Sequence, residues 1–277
     1  MDVNEIQQYL PGNITIANAV MKEGQYGKIM PQLLTAGLEP ASPSWVMDAR
    51  NKAVGTDAEK ALWKETGFDT DFGVAADDKT VWLFPHSKHL RAITPQTKLV
   101  EYGIPLKDKD DFKNAIAIPR SEFGDYLGKP LTREQFHDSP TRTLVWLPHL
   151  AEGDEQRMNT YENNAFTLGK RDFNYNEMLG FYVPETEKPN VRALVFGRAI
   201  NGASAGGSRN LDNYYARLVG VRSGVAPEGR EQVSTGSNGS LEATVRSLMT
   251  QRRVEESELP RVFEIYEAQR AQSQKFK

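Results

Sequence analysis

The sequence predicts an α+β fold, a mixed β-sheet with long loops, carrying helical extensions at both ends. Three observations point there. Two β-like segments, Val191 to Ile200 and Tyr214 to Arg222, are joined by a polar stretch rich in Gly, Ser and Asn. Upstream lie short apolar runs ended by proline, of which Thr80 to Phe84 before Pro85 is the clearest. Toward both termini, apolar residues recur at helical spacing instead.

Taken in order, Asn4 to Leu10 reads as a short helix stopped by Pro11-Gly12, and Ile14, Ala17, Val20 and Met21 continue at helical spacing until Gly24. Ile29 to Thr35 predicts a further helical turn that Gly37 ends, and Pro40 and Pro43 predict an extended connection. Thr56 with Glu59 has the spacing of a capping box, opening a helix through Ala61, Leu62 and Trp63. From Lys79 the texture changes to strands: Thr80 to Phe84, Leu99 to Ile104, Asn114 to Ile118 and Thr143 to Leu147. Ser121 to Leu127 reads as a short helix or a loop, and Leu131 to Phe136 as a helical turn. Glu152 to Leu179 interleaves Asn with Tyr and Phe, which fits short strands and long ordered loops. In Tyr214 to Arg222, Arg217, Val219 and Val221 share one face, while Ala216, Leu218 and Gly220 share the other. Apolar residues on both faces predict a largely buried strand. Ser234 to Ser240 has the composition of a linker, after which Leu241, Val245 and Leu248, then Val262, Phe263, Ile265 and Tyr266, mark two amphipathic helices. The expected division is a helical arm or subdomain over 1–69, the α+β domain over 70–223, a flexible linker over 224–240 and a helical segment over 241–277.

A chain of 277 residues can bury a sizeable core. Its 34 basic and 37 acidic residues give a net charge of -3, which supports no general nucleic-acid surface. The absence of cysteine excludes disulfides, thiolate nucleophiles and Cys-ligated metal sites. The opening MDVNEIQQYLPGN has no apolar core of the signal-peptide kind, and no stretch approaches the roughly 20 apolar residues of a membrane span. The expected location is therefore the cytoplasm or a virion assembled there.

Gly180-Phe181-Tyr182, Thr186-Glu187, Arg192 to Phe196 and Tyr215 to Arg222 together resemble the closing part of bacterial major-paralogous-domain proteins, members of the C-type-lectin-like superfamily. The resemblance covers about residues 180–222 and implies a C-type-lectin-like mixed sheet over 70–223. The superfamily also includes phage receptor-binding proteins and formylglycine-generating enzymes. The chemistry of those enzymes needs cysteines, so the resemblance brings no activity here.

The connection from Asn201 to Asn213 is the strongest functional lead, because long loops inside compact domains are often functional. Asn201, Ser204, Ser208, Arg209, Asn210, Asp212 and Asn213 supply donors and acceptors, and Tyr214 and Tyr215 supply rigid contact area. These residues suit a protein surface or a carbohydrate. Gly202 to Gly207 sits in a hairpin connection rather than at a strand-to-helix turn, so it does not read as a phosphate cradle. Calcium on Asn201, Asp212 and Asn213 is a minor option. His86 and His89 form His-x-x-His, with His137 and His149 in the same region, but the segment after Pro85 reads as a turn that does not align the rings. No cofactor or metal is expected. The leading reading is a non-enzymatic binding or assembly protein of a phage virion or other large particle, its helical extensions contacting a protein partner or further copies. The rival is an intracellular enzyme acting on a polar small molecule through His86, His89 or His137 and a nearby carboxylate.

Overall fold

The computed structural model describes residues 19–207 and 210–222. The predicted helix at Asn4 to Leu10, Ser208, Arg209, the linker and the helices over 241–277 lie outside the described residues. All described residues belong to one compact unit.

The elements are β1 (Ala19–Gly24), α1 (Tyr26–Thr35), β2 (Leu38–Pro40), α2 (Pro43–Ala53), a π-helical turn at Lys60–Glu65, β3 (Phe68–Ala76), β4 (Thr80–Phe84), α3 (Lys88–Arg91), β5 (Ile104–Pro105), β6 (Ile116–Pro119), β7 (Leu131–Thr132), α4 (Arg133–His137), a π-helical segment at Arg142–Leu150, α5 (Glu155–Phe173), β8 (Glu177–Met178), β9 (Phe181–Tyr182), β10 (Asn190–Phe196), β11 (Ala205–Gly206) and β12 (Ala216–Arg222). The main sheet runs β1-β12-β3-β10-β11-β9, with β4 and β6 continuing from β3, β2 on β12 and β5 on β10. β12 is parallel to β3 and antiparallel to β1, so the sheet is mixed.

Strand alternation divides the core into two layers. On one face Phe68, Phe72 and Val74 of β3, Leu194 and Phe196 of β10 and Val219 of β12 pack with Val46 and Met47 of α2, Tyr161 and Ala165 of α5, and Trp146. On the other, Ala75, Val191, Ala193, Ala216 and Leu218 meet Tyr26, Ile29, Met30 and Leu33 of α1 and Leu90 of α3. The helical layers cover both faces of the strands.

Arg50 of α2 ties the first layer together. Fully buried, it donates to Leu62 O at 3.0 Å, Thr66 O at 3.0 Å, Gly197 O at 2.8 Å and the Tyr161 hydroxyl at 2.8 Å. The guanidinium lies 5.2 Å from the centroid of the Trp63 ring and 5.5 Å from that of Phe68. These contacts use four of the five guanidinium N–H donors, which meets most of the hydrogen-bonding demand of a buried cation.

Several elements differ from expectation. Helical spacing over Ile14 to Met21 gives way to strand β1 from Ala19, where Ala19 and Met21 face one layer and Val20 the other. Pairing with β12 outweighs the weak helical pattern. Pro43 opens a helix rather than prolonging a connection, since Ser42 Oγ accepts the Trp45 N–H at 3.2 Å and proline suits the first helical position. Glu59 takes the Gly55 N–H at 2.9 Å, not that of Thr56, and the helix that follows is a π-turn. Thr143 to Leu147 is helical because Ser139 Oγ accepts the Arg142 N–H at 3.1 Å, and Val145, Trp146 and Leu150 bury one helical face. Leu99 to Ile104 reduces to a bridge between Val100 and Gly103 and the short β5. Glu152 to Leu179 is mostly the 19-residue α5, capped by Asp154 and closed by Asn174 at φ 57°.

The hairpin reading of the polar connection also changes. β10 and β12 are not neighbours; β3 lies between them, so the chain crosses over β3. Among the described residues, no helix is long and apolar enough to cross a membrane.

Candidate functional site

The crossover divides into a tight first half and an exposed second half. After β10, the Gly197 N–H donates to Ser204 O at 2.7 Å, and a 3-10 turn over Ala199–Asn201 ends at Gly202 with φ 76°. The Leu179 N–H donates to Gly202 O at 2.7 Å and the Gly207 N–H to Tyr182 O at 3.0 Å, which seats β11 beside β9. A Cβ on Gly206 would sit 2.5 Å from Tyr182 O, so this approach requires glycine. Ala203 and Ala205 are buried. The strands thus hold this turn closed and leave Arg198, Ile200 and Asn201 facing outward.

The second half is anchored at Leu211, which is buried and whose N–H donates to Tyr102 O at 3.0 Å. Asn213 Oδ1 accepts the Tyr215 N–H at 3.1 Å, and Gln25 Nε2 donates to Asp212 O at 3.4 Å. Tyr214 and Tyr215 are each 67% exposed.

These segments form two adjoining pockets. The first, of 430 Å³, is bounded by Tyr182, Arg198, Asn201, Ser204, Tyr215 and Arg217 among others. The second, of 690 Å³, is bounded by Thr132, Asn174, Tyr175, Tyr182, Ile200 and Asn201 among others. Tyr182 and Asn201 belong to both, so the pockets form one surface. Arg217 is engaged by Glu23 at 2.9 Å, whereas Arg198 has no acid partner among the described residues. Tyr175 at the C-terminal end of α5 donates its hydroxyl to Ile200 O at 3.2 Å.

No family model matches the chain, and no curated protein matches it. A solved structure does: work on how the C-type lectin fold accommodates massive sequence variation in Nanoarchaeota describes a protein that superposes with a TM-score of 0.55 at 16% identity. The match covers 74% of this chain and 96% of that one. This chain has a C-type-lectin-like fold. At that identity the likeness concerns architecture alone.

Within this lectin-like body, the expected ligand-binding residues part company. Asn201 and Ser204 line the pockets. Asn210, Asp212 and Asn213 sit in the segment anchored by Leu211, where Asp212 is exposed and the other two are half-buried, and Tyr214 is exposed beside them. Tyr215, the second tyrosine expected to supply contact area, lines the first pocket, whereas Tyr175, Tyr182 and Ile200 are pocket residues outside the expected set. The aromatic-Asn alternation before Gly180 was the available signal for Tyr175, and the Gly-aromatic-Tyr segment for Tyr182.

The histidines form no single cluster: His86 and His149 border one concavity, and His89 and His137 lie elsewhere. His86 Nδ1 donates to Asp71 at 3.3 Å, His89 Nε2 meets Asp111 O at 2.8 Å, and His137 Nδ1 lies 3.5 Å from Glu162. Among the described residues, no group of three or more His, Asp or Glu side chains is placed to hold a metal ion. The hydrogen bond to Asp71 raises the His86 pKa, and burial lowers that of His149.

Proposed function

We propose that this protein is a non-enzymatic binding protein that recognises a protein partner through the surface around the crossover. One observation carries the reading: Tyr175, Ile200 and Tyr215, exposed by 37%, 45% and 67%, border two pockets that meet at Tyr182 and Asn201. Exposed apolar side chains clustered within a polar rim mark interaction surfaces, and tyrosine gives contact area at low entropic cost. Arg198 adds a cation suited to a partner carboxylate. A carbohydrate would use the same tyrosines and Asn201 as stacking and hydrogen-bonding groups. The neighbour's fold accommodates massive sequence variation, which supports reading the outward side chains here as contact residues that the buried turn carries without depending on them. We place the protein in a larger assembly, such as a phage virion, with residues 241–277 as its second contact. That part of the proposal, like kinship with bacterial major-paralogous-domain proteins, rests on the sequence.

The test is co-purification of partners with the full chain and with a Tyr175→Ser, Ile200→Ser, Tyr215→Ser variant, the mass of each complex being read by light scattering. All three side chains are exposed, so the variant is expected to keep its circular dichroism spectrum while losing its partner by about tenfold or more in affinity. A partner held equally by both forms overturns the reading.

A further inference from the structure

A third concavity shares no lining residue with the two crossover pockets. It has a volume of 290 Å³ and is built from segments far apart in sequence: the start of α2, the middle of β3, the turn after β4 and the end of the π-helical segment. Its walls are apolar, from Pro43, Phe72, Pro85 and Pro148. Its polar groups are Asp71, His86, His149 and Glu152, with Ser42 at the helix start.

Asp71 decides what this pocket can take. Its side chain is 1% exposed, and Oδ2 accepts from Arg91 Nη1 at 3.0 Å and from His86 at 3.3 Å. Oδ1 is buried and has no hydrogen-bond partner. A buried carboxylate oxygen without a donor is costly, on the order of 1–3 kcal/mol or more, and native interiors rarely leave one. Glu152 adds a second carboxylate, which accepts from Ser44 Oγ at 2.7 Å and keeps further lone pairs. Glu152 and His86 both hold left-handed backbone conformations, at φ 55° and 47°. Arg91 is shared with Glu39 at 2.6 Å, and Arg157, the other guanidinium that Glu152 feels, is itself paired with Asp48 at 2.8 Å, so carboxylates outnumber guanidiniums around the pocket and His86 is largely exposed. His149 has its pKa lowered by burial, so it adds little opposing charge near neutrality.

We propose that this pocket binds an alkylguanidinium or alkylammonium group. Its N–H donors would meet Asp71 Oδ1 and Glu152, and its methylene stem would lie against Phe72 and the prolines. A divalent metal fits less well, because among the described residues no three His, Asp or Glu side chains, those of this pocket included, are placed to ligate one ion. A polyol would leave hydroxyls against the proline walls. The size admits one extended side chain, such as an arginine or lysine of a partner, or a free amine of that length.

The experiment titrates the full chain with butylguanidinium, butylammonium, the neutral isostere butyramide and a Gly/Ser peptide carrying one arginine. It follows the amide resonances of Phe72, His86, Ser87 and Glu152. The two small cations are expected to give saturable shifts that butyramide does not. Glu152→Gln, at an exposed position, is expected to weaken them about tenfold, the size of one charge-assisted contact. Asp71→Asn is expected to abolish them, with the Glu152 variant deciding should the Asn protein not fold. Tighter binding of the peptide assigns the site to a partner side chain, and binding of the small cations alone assigns it to a free amine. Shifts that do not saturate, that butyramide reproduces, or that survive Glu152→Gln unchanged overturn the proposal.

Discussion

Arg50 shows how one buried cation is kept without a carboxylate. It answers to three carbonyls and a phenol, and one of those carbonyls belongs to Gly197, where the crossover leaves β10. Arg50→Ala would strand all of these acceptors and open a cavity, so a loss of about 3 kcal/mol or more is expected in urea unfolding. The two histidines of the proline-walled pocket titrate in opposite senses. His86, with its pKa raised by Asp71, is protonated more readily when folded. Its contribution is complete below the unfolded value of about 6.5 and fades as pH rises through the raised folded value. His149, held low by burial, costs stability as pH falls below about 6.5, because the unfolded chain then binds the extra proton. Proton NMR should place the His86 titration above that value and the His149 titration below it, and His86→Gln should remove the alkaline-side loss alone. Neither residue could be assigned this behaviour from sequence, since the acid that sets His86, a turn residue, lies 15 residues away on β3.

At the scale of elements, legibility followed local chemistry. The alternation in Ala216–Arg222 and the helical turn ended by Gly37 were readable because each pattern agrees with its burial. β3 was not readable. Phe68–Ala76 carries two aspartates that argue against a strand buried along its whole length, and only the tertiary partners make them tolerable: the Arg217 N–H on Asp69 at 2.7 Å and Arg91 on Asp71. α5 was obscured by its asparagines, although Asp154 as cap and the spacing of Met158, Tyr161, Ala165 and Leu168 were present in the sequence. For the crossover, its glycines were legible as turn formers, but not the close seat of β11 on β9. Gly206→Ala would drive a methyl group into Tyr182 O. It is expected to cost about 2 kcal/mol in thermal unfolding and to weaken partner binding, because the same turn presents Ile200 and Asn201.

At the scale of the molecule, the architecture was readable in class but not in connectivity. Two strands and a polar stretch between them implied a mixed sheet; nothing local showed that β3 would enter between them. As a result, the turn that reads as a free-standing loop is partly core, with Ala203, Ala205 and Leu211 buried. Only its outward residues can vary without disturbing the sheet. The pairing of Ala19 with Val221 has a separate consequence. The described chain enters and leaves at adjacent positions on one border, which is the geometry that tolerates circular permutation and lets a folded module be spliced into a surface bend of a host protein without stretching it. Such a body can change its carrier while the face proposed for partner contact stays intact.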